Sequence, residues 1–351
     1  MKGKSLKVLA LVLVMLFTVT VVGCGGGSKE TGDKTNDAGE KKPIVIRIGT
    51  TVTPTHSYSV VAQDFEKEVE EKSNGTIDVQ YLGAGVLGGE RQMVEAIQRG
   101  DLEMTWTSDI GLAAVFPELG FFNLPYLFPT YEDVDRDYIN GWVGEYVTEF
   151  CDAKGIKVLG IGENDMRALT NSKRPIKDGE DLKGLKLRVP ETPMYVDFYE
   201  SLGVACTPMA ITELTTALQQ KTVDGQDNGA IMTFDYGLHK FQKYATRANQ
   251  IYSAMQMCMG TVTWDKLTPE QQQIIAEASK KAAAAQVKLQ RENAAKQWKQ
   301  MADEGMEVID VTPELEADFK AVAERMYKDP QYEKLYGKEV MEKVRAMKGV
   351  Q

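Results

Sequence analysis

The residues Gly83-Ala84-Gly85-Val86-Leu87-Gly88 satisfy the pattern G-x-G-x-x-G between a strand-like run and a helix-like one. In that context glycine N–H groups and a helix N-terminus can cradle a dinucleotide's pyrophosphate. Three features oppose that chemistry here. The motif follows the second strand pattern of the chain, not the first. The acidic residues about twenty positions on, Asp101 and Glu103, flank or sit within the next strand instead of ending it. The N-terminus also reads as an export signal, which takes the protein away from cytoplasmic nicotinamide cofactors. A glycine-rich turn at a cleft edge is the preferred reading, and an exported dinucleotide-dependent oxidoreductase is the alternative. The two histidines, His56 and His239, lie in no H-E-x-x-H pattern, and neither a G-x-S-x-G elbow nor a P-loop occurs. Cys24, Cys151, Cys206 and Cys258 are too widely spaced for a zinc site and read as a modified residue plus buried free thiols. No enzyme, cofactor or metal site is therefore expected.

The export signal consists of Lys2, Lys4 and Lys7 followed by the apolar stretch from Val8 to Val22. That stretch is shorter than the roughly 20 residues a spanning helix needs, so it reads as the h-region of a signal peptide. Val21-Val22-Gly23-Cys24 then resembles a bacterial lipobox, whose cysteine becomes the lipidated N-terminus. Residues 1–23 are assigned to the signal and 24–43 to a tether, because Gly25-Gly26-Gly27-Ser28 and the polar run after it cannot bury a core. An extracytoplasmic, lipid-anchored protein is expected. The formal charge is −10, and losing the three signal lysines makes it −13, which disfavours nucleic acid as a partner.

Beyond the tether, strand-like and helix-like patterns alternate. Ile44 to Ile48 is β-branched, Val61, Phe65 and Val69 recur at helical spacing, Thr76 to Leu82 is a second strand, and Glu90 to Arg99 a second helix. Leu102, Met104 and Trp106 alternate as a third strand, and this β-α-β-α-β order predicts an open α/β sheet. Phe121 to Pro129 reads as a packed loop without chemistry. Ile156 to Ile161 is a further strand, and a second α/β block runs from Met166 to about Ala254, with strands near Leu185 to Val189 and Thr222 to Asp227. Thr268-Pro269-Glu270-Gln271 is a capping box with proline at the first helical position, and nothing breaks that helix before Gly305. At 1.5 Å per residue it would span about 54 Å, more than one small domain.

Several segments in order carry a family likeness: Leu87-Gly88-Gly89-Glu90-Arg91, Asn171-Ser172-Lys173-Arg174-Pro175-Ile176, Asp181 through Leu187-Arg188-Val189-Pro190, Thr207-Pro208-Met209-Ala210, and Val223-Asp224-Gly225-Gln226-Asp227-Asn228. The series resembles the substrate-binding proteins of tripartite ATP-independent periplasmic (TRAP) transporters of the dicarboxylate-binding type, over nearly the whole mature chain from Ile48-Gly49-Thr50. The resemblance implies two α/β domains around a ligand cleft, bridged by the long helix, with hinge closure on the ligand. The expected division is 44–165 plus 254–293 for the first domain and 166–253 plus 294–345 for the second. It implies capture of a small organic acid and delivery to a small and a large membrane subunit. A sugar acid such as a uronate or aldonate is favoured, with a C4-dicarboxylate as alternative.

On the family pattern Arg188 matches the anion anchor, a role suited to the guanidinium's planar fork of donors. Arg167 matches a second arginine and Asn228 an asparagine whose amide contacts the ligand. Glu90 and His56 fall in loops expected at the first domain's rim of the cleft, where they could bind hydroxyls. The chain departs from the family at Gly229, where proline is usual and a looser loop is expected. It departs again at Ile211, where many members place an aromatic, and at Thr215, often tyrosine.

Acylation of Cys24 is expected to be the sole membrane attachment, since a diacyl anchor suffices for stable retention. In a Cys24→Ser variant, fractionation should find unprocessed precursor or released protein. Normal processing with membrane retention would refute the assignment.

Overall fold

In the computed structural model, which describes residues 42–350, the β-branched run after the tether forms strand β1 (Ile44–Gly49). It pairs in parallel with β2 (Ile77–Leu82) on one side and with β3 (Met104–Ser108) on the other. Helix α1 (Ser57–Lys72) links β1 to β2, and α2 (Glu90–Arg99) links β2 to β3. The predicted β-α-β-α-β unit is thus present. What periodicity did not indicate is β10 (Tyr252–Gly260), which returns from late in the chain and lies antiparallel between β3 and β4 (Ile156–Met166). The first sheet has the order β2-β1-β3-β10-β4. Trp106 on β3 is fully buried there, with the rings of Tyr58, Phe65 and Tyr81 edge-on at 5.3, 5.5 and 5.8 Å.

The second lobe is built on β5 (Ala168–Asn171), β6 (Lys186–Val189), β7 (Ala205–Pro208), β8 (Gly225–Asn228), β9 (Tyr244–Arg247) and β11 (Glu307–Asp310). Their order is β11-β9-β5-β8-β6-β7. β6 is parallel to both its neighbours, whereas β5 is antiparallel to β8 and β9. Two α/β domains with mixed sheets result. The chain crosses between them at Arg167, again at 248–251, and along the long helix. Arg167 N donates to Ile251 O at 2.8 Å, tying the two strand crossings together.

The long helix, Pro269–Asp303, has the capping box foreseen in its sequence: Gln271 N donates to Thr268 Oγ at 3.2 Å, and Thr268 N to Gln271 Oε1 at 3.0 Å. It packs along β4 and α1 of the first lobe and against helix Ala230–Asp235 and β11 of the second. Its role reaches further than bridging. The pairing of β4 with β10 slips by one residue at Asn164, a β-bulge that leaves local backbone groups without a ladder partner. Two buried glutamines of the helix supply those partners. Gln286 accepts from Glu163 N at 2.8 Å and donates to Glu163 O at 2.7 Å, and Gln290 donates to Asn164 O at 2.5 Å.

Phe121, Phe122 and Phe128 are buried around a 3-10 segment, Pro117–Asn123, so this stretch is core. Among the described residues Cys151, Cys206 and Cys258 form no disulfide, and burial pushes the Cys151 and Cys206 thiols up to about 12. Cys24, the signal and most of the tether lie outside the described residues. Among the described residues, no helix is long and apolar enough to cross a membrane.

Gly229 does not loosen its loop. It is the N-cap of helix Ala230–Asp235, and the Asp165 carboxylate does the capping by accepting from Ala230 N at 3.0 Å. Any Cβ at position 229 would overlap the Asp165 side chain. Gly229→Ala should therefore destabilise the fold by about 1–3 kcal/mol, the usual range for overpacking. Urea denaturation of the single variants and of the double variant with Asp165→Ala checks this. The double variant should cost less than the sum of the singles, and strict additivity would refute the steric account.

Candidate functional site

Both sheets aim the carboxyl ends of parallel strands at one cavity between the lobes. In the first sheet β1 lies between β2 and β3, and the chain leaves β1 and β3 in opposite directions, which opens a crevice. Thr51 and Val52 follow β1, Ser108 ends β3, and Glu90 starts α2. In the second sheet β6 lies between β7 and β8, and its end presents Arg188 and Pro190 beside Asn228 at the end of β8. Arg167, Arg188, Asn228 and Glu90 all line this cavity, with Asn164, Ser108, Thr51, Ile211 and Met232 among their neighbours.

The two arginines have opposite circumstances. Arg167 is paired: Nε donates to Asp227 Oδ2 and Nη2 to Oδ1, both at 3.0 Å, and Nη2 also reaches the Asp227 carbonyl. Burial alone would lower its pKa, but the Asp227 carboxylate outweighs burial and the net shift is upward. The Tyr195 ring lies 5.1 Å from the guanidinium carbon, and Tyr199 Oη donates to Asp227 Oδ2 at 3.2 Å. Asp227 was not singled out from the sequence, since alternation along β8 does not reveal a partner sixty positions away.

Arg188 is 4 % exposed and, among the described residues, forms no salt bridge. Its Nε and Nη2 both donate to Met209 O, at 2.9 and 2.7 Å, which fixes one edge of the fork. Burial and the nearby Arg167 charge push its pKa down to about 10, so it is still a cation at neutral pH. A buried guanidinium with one edge committed to a neutral carbonyl and no counter-ion is a site for an anion.

Glu90 is in the first turn of α2, not in a loop. It accepts from Ser108 N at 2.7 Å and from Ser108 Oγ at 2.6 Å. Burial raises its pKa against those hydrogen bonds and the charges of Arg188 and Arg167. Asn228 donates to Gln226 Oε1 at 2.5 Å, which orients its amide. Asn164, not anticipated from the sequence, is the bulged residue of β4. Its Nδ2 donates to Ser253 Oγ at 3.1 Å, and Ser253 donates on to Asp109 Oδ1 at 2.7 Å. That chain turns the amide nitrogen towards Ser253 and leaves Oδ1 without a partner.

His56 does not belong to the site. It is fully buried as the N-cap of α1, where Nδ1 accepts from Tyr58 N at 3.2 Å. Burial lowers its pKa to about 3, so it is neutral, as an accepting cap requires. The expectation of a rim residue fails because the turn before α1 folds inward. The glycine-rich turn does lie at the cleft edge. Its N–H groups are spent on protein carbonyls, Ala84 N on Val52 O at 2.7 Å and Gly85 N on Thr50 O at 3.0 Å, so they cannot cradle a phosphate. Gly85 has φ +67°, and a Cβ there would meet Thr212 of the other lobe at 2.8 Å.

The family model for bacterial extracellular solute-binding protein family 7 (DctP) matches residues 48–334. A solute-binding protein of Verminephrobacter eiseniae is 34% identical over 301 residues, 86% of this chain and 88% of its own. Among solved structures, a TRAP periplasmic solute-binding protein from Polaromonas sp. JS666 bound to D-erythronate superposes with a TM-score of 0.81 at 32% identity. The match covers 86% of this chain and 98% of that one. The sugar acid binding protein of Advenella mimigardefordensis in complex with galactonate gives 0.82 at 28% identity, covering 87% and 98%.

The Arg167–Asp227 pair holds the crossing in register, and breaking it leaves an unpaired buried cation. Asp227→Asn should lower folding stability by about 3–5 kcal/mol, read as a fall in the urea midpoint. An unchanged midpoint would show that the pair is dispensable.

Proposed function

Because this chain belongs to bacterial extracellular solute-binding protein family 7, the DctP-type receptors of TRAP transporters, we propose that its cleft captures a hydroxylated monocarboxylate, a sugar acid such as a uronate or aldonate. Members of this family bind solutes and do not catalyse. The chain is accordingly an extracytoplasmic binding protein that delivers a small organic acid to TRAP membrane subunits. The specific pairing with one small and one large subunit, and attachment through Cys24, are part of the proposal.

The observation that carries the ligand assignment is the Arg188 guanidinium, buried and, among the described residues, without a carboxylate partner. Arg167 and Asn228 flank it from the hinge and from β8, the first paired with Asp227 and suited to orienting its neighbours. Glu90 and the Asn164 oxygen are acceptors, so the arginine side favours a carboxylate and the other side favours hydroxyl donors. This polarity supports a hydroxy acid over a C4-dicarboxylate, whose second carboxylate would face Glu90. The D-erythronate and galactonate bound by the Polaromonas and Advenella proteins are of the same chemical kind.

Titration calorimetry with D-erythronate and D-galactonate tests the reading. Arg188→Ala should weaken binding by roughly 3–5 kcal/mol, two to three or more orders of magnitude. Arg188→Lys keeps the charge without the planar fork and should fall between wild type and alanine. Arg167→Ala should cost less in binding than Arg188→Ala. A folded Arg188→Ala protein that binds within a few-fold of wild type would remove the main support for the carboxylate assignment.

A further inference from the structure

Strand β8, Gly225-Gln226-Asp227-Asn228, carries no apolar side chain, yet it lies between β5 and β6 with every residue buried. Burying amides costs free energy unless each finds partners, and apolar residues fill a sheet centre without that cost. On one face of the strand the Asp227 carboxylate serves Arg167. On the other, by the two-residue period of a strand, lie Gln226 and Asn228. In the register of the sheet the fully buried Gln226 stands opposite Thr170 of β5 and Arg188 of β6. The mechanism so far gives Gln226 and Thr170 nothing to do.

The hydrogen bonds on this face run in one direction. Gln242 Nε2 donates to the carbonyls of Phe241 and Asp224, at 3.0 and 3.3 Å, and a carbonyl can only accept. Gln242 Oε1 is thereby the acceptor of the Thr170 hydroxyl, at 3.1 Å. With its one hydrogen spent, Thr170 Oγ1 can only accept in turn, and it does so from Gln226 Nε2 at 2.8 Å. Thr233 Oγ1 takes a second bond from the same nitrogen at 3.3 Å. Gln226 Oε1 must then face Asn228, and it accepts from Asn228 Nδ2 at 2.5 Å. A reversed Gln226 would set Oε1 against a Thr170 oxygen with no hydrogen to give. A reversed Asn228 would press two amide oxygens together. Asn228 is therefore held with its nitrogen towards Gln226, and among the described residues its Oδ1 has no partner.

Resting on the carboxylate reading above, we propose that Gln226 is a positioning residue for ligand recognition. Through the relay Gln242–Thr170–Gln226 it fixes the Asn228 amide, so that Oδ1 meets the ligand as a hydrogen-bond acceptor beside the anion-holding Arg188. The relay begins at backbone carbonyls and ends at Asn228, which lines the cavity. The orientation is thus set before a ligand arrives, and binding does not have to immobilise that side chain. Valine at 170 and methionine at 226 would occupy nearly the same volumes without burying polar groups. The orientation of Asn228 is what the buried hydroxyl and amide add.

A double-mutant cycle on the purified full-length protein tests this, because a positioning residue acts only through the group it positions. The probe is D-erythronate or D-galactonate, whichever the wild type binds more tightly by calorimetry. Gln226→Met should weaken binding about tenfold in the wild-type background. In the Asn228→Ala background the same change should alter affinity by no more than about twofold, while urea midpoints fall alike in both. Thr170→Val cuts the relay one link earlier and serves if Gln226→Met does not fold. It should weaken binding about threefold or more, again only where Asn228 is present. Unchanged affinity in folded Gln226→Met, or an equal loss with and without Asn228, would overturn the positioning role and leave the carboxylate reading standing. Failure of both acids to bind folded wild-type protein would overturn the two together.

Discussion

The site depends on the ion pair between Arg167 and Asp227, made where the chain passes from one sheet to the other. Both side chains are nearly inaccessible, so each ion has lost its water and would be strongly destabilising alone. The paired geometry, with two parallel hydrogen bonds and a tyrosine on either side, compensates for that loss. It also locates β5, β8 and the crossing relative to one another. With Arg167 paired to Asp227, Arg188 is the buried cation left without a carboxylate partner among the described residues. Arg188 can be held by a backbone carbonyl and keep one edge of its fork for a ligand.

The crossing is also where backbone regularity is given up. The bulge at Asn164 and the φ of +155° at Asp165 fall in consecutive residues just before Arg167. Neither is left unsupported: Gln286 and Gln290 of the long helix hold the bulge backbone, and Asp165 caps helix Ala230–Asp235 of the second lobe. Tyr131 Oη donates to the same Asp165 carboxylate at 3.1 Å. Burial pushes Asp165 up to about 6 even with these donors. The long helix therefore serves as a satisfying partner for the irregular strand that turns Asn164 to the cavity, besides spanning the two lobes.

Glycine has a similar double meaning in this chain. The run from Gly83 to Gly88 has the spacing of a nucleotide-binding loop, yet its amides bond to residues just after β1 and its open surface admits Thr212 of the opposite lobe. Close approach of the two lobes, not of a phosphate, requires the missing side chains. Gly229 is parallel: a carboxylate from a different strand occupies the volume a proline would fill, so the loop is pinned from outside instead of from within.

Patterns with short-range causes were legible in the sequence. The β-α-β-α-β start, the capping box at Thr268 and the end of the long helix at Gly305 each follow from neighbouring residues alone, through alternation, side-chain-to-backbone bonds and glycine's conformational freedom. The family motifs identified Arg188, Arg167 and Asn228 as a set, and the structure brings them to one cavity together with Glu90. Asp227, Asn164 and the strand β10 were not legible. Their significance comes from partners sixty or more positions away, and hydrophobic periodicity carries no information about such pairings. His56 shows the same limit from the other direction, because a histidine before a helix reads alike whether the turn faces solvent or core. Sequence alone determined the residue types and the local elements that carry them. Tertiary structure decided which cation is neutralised and which is left free, because that depends on burial and on charge partners supplied by distant strands.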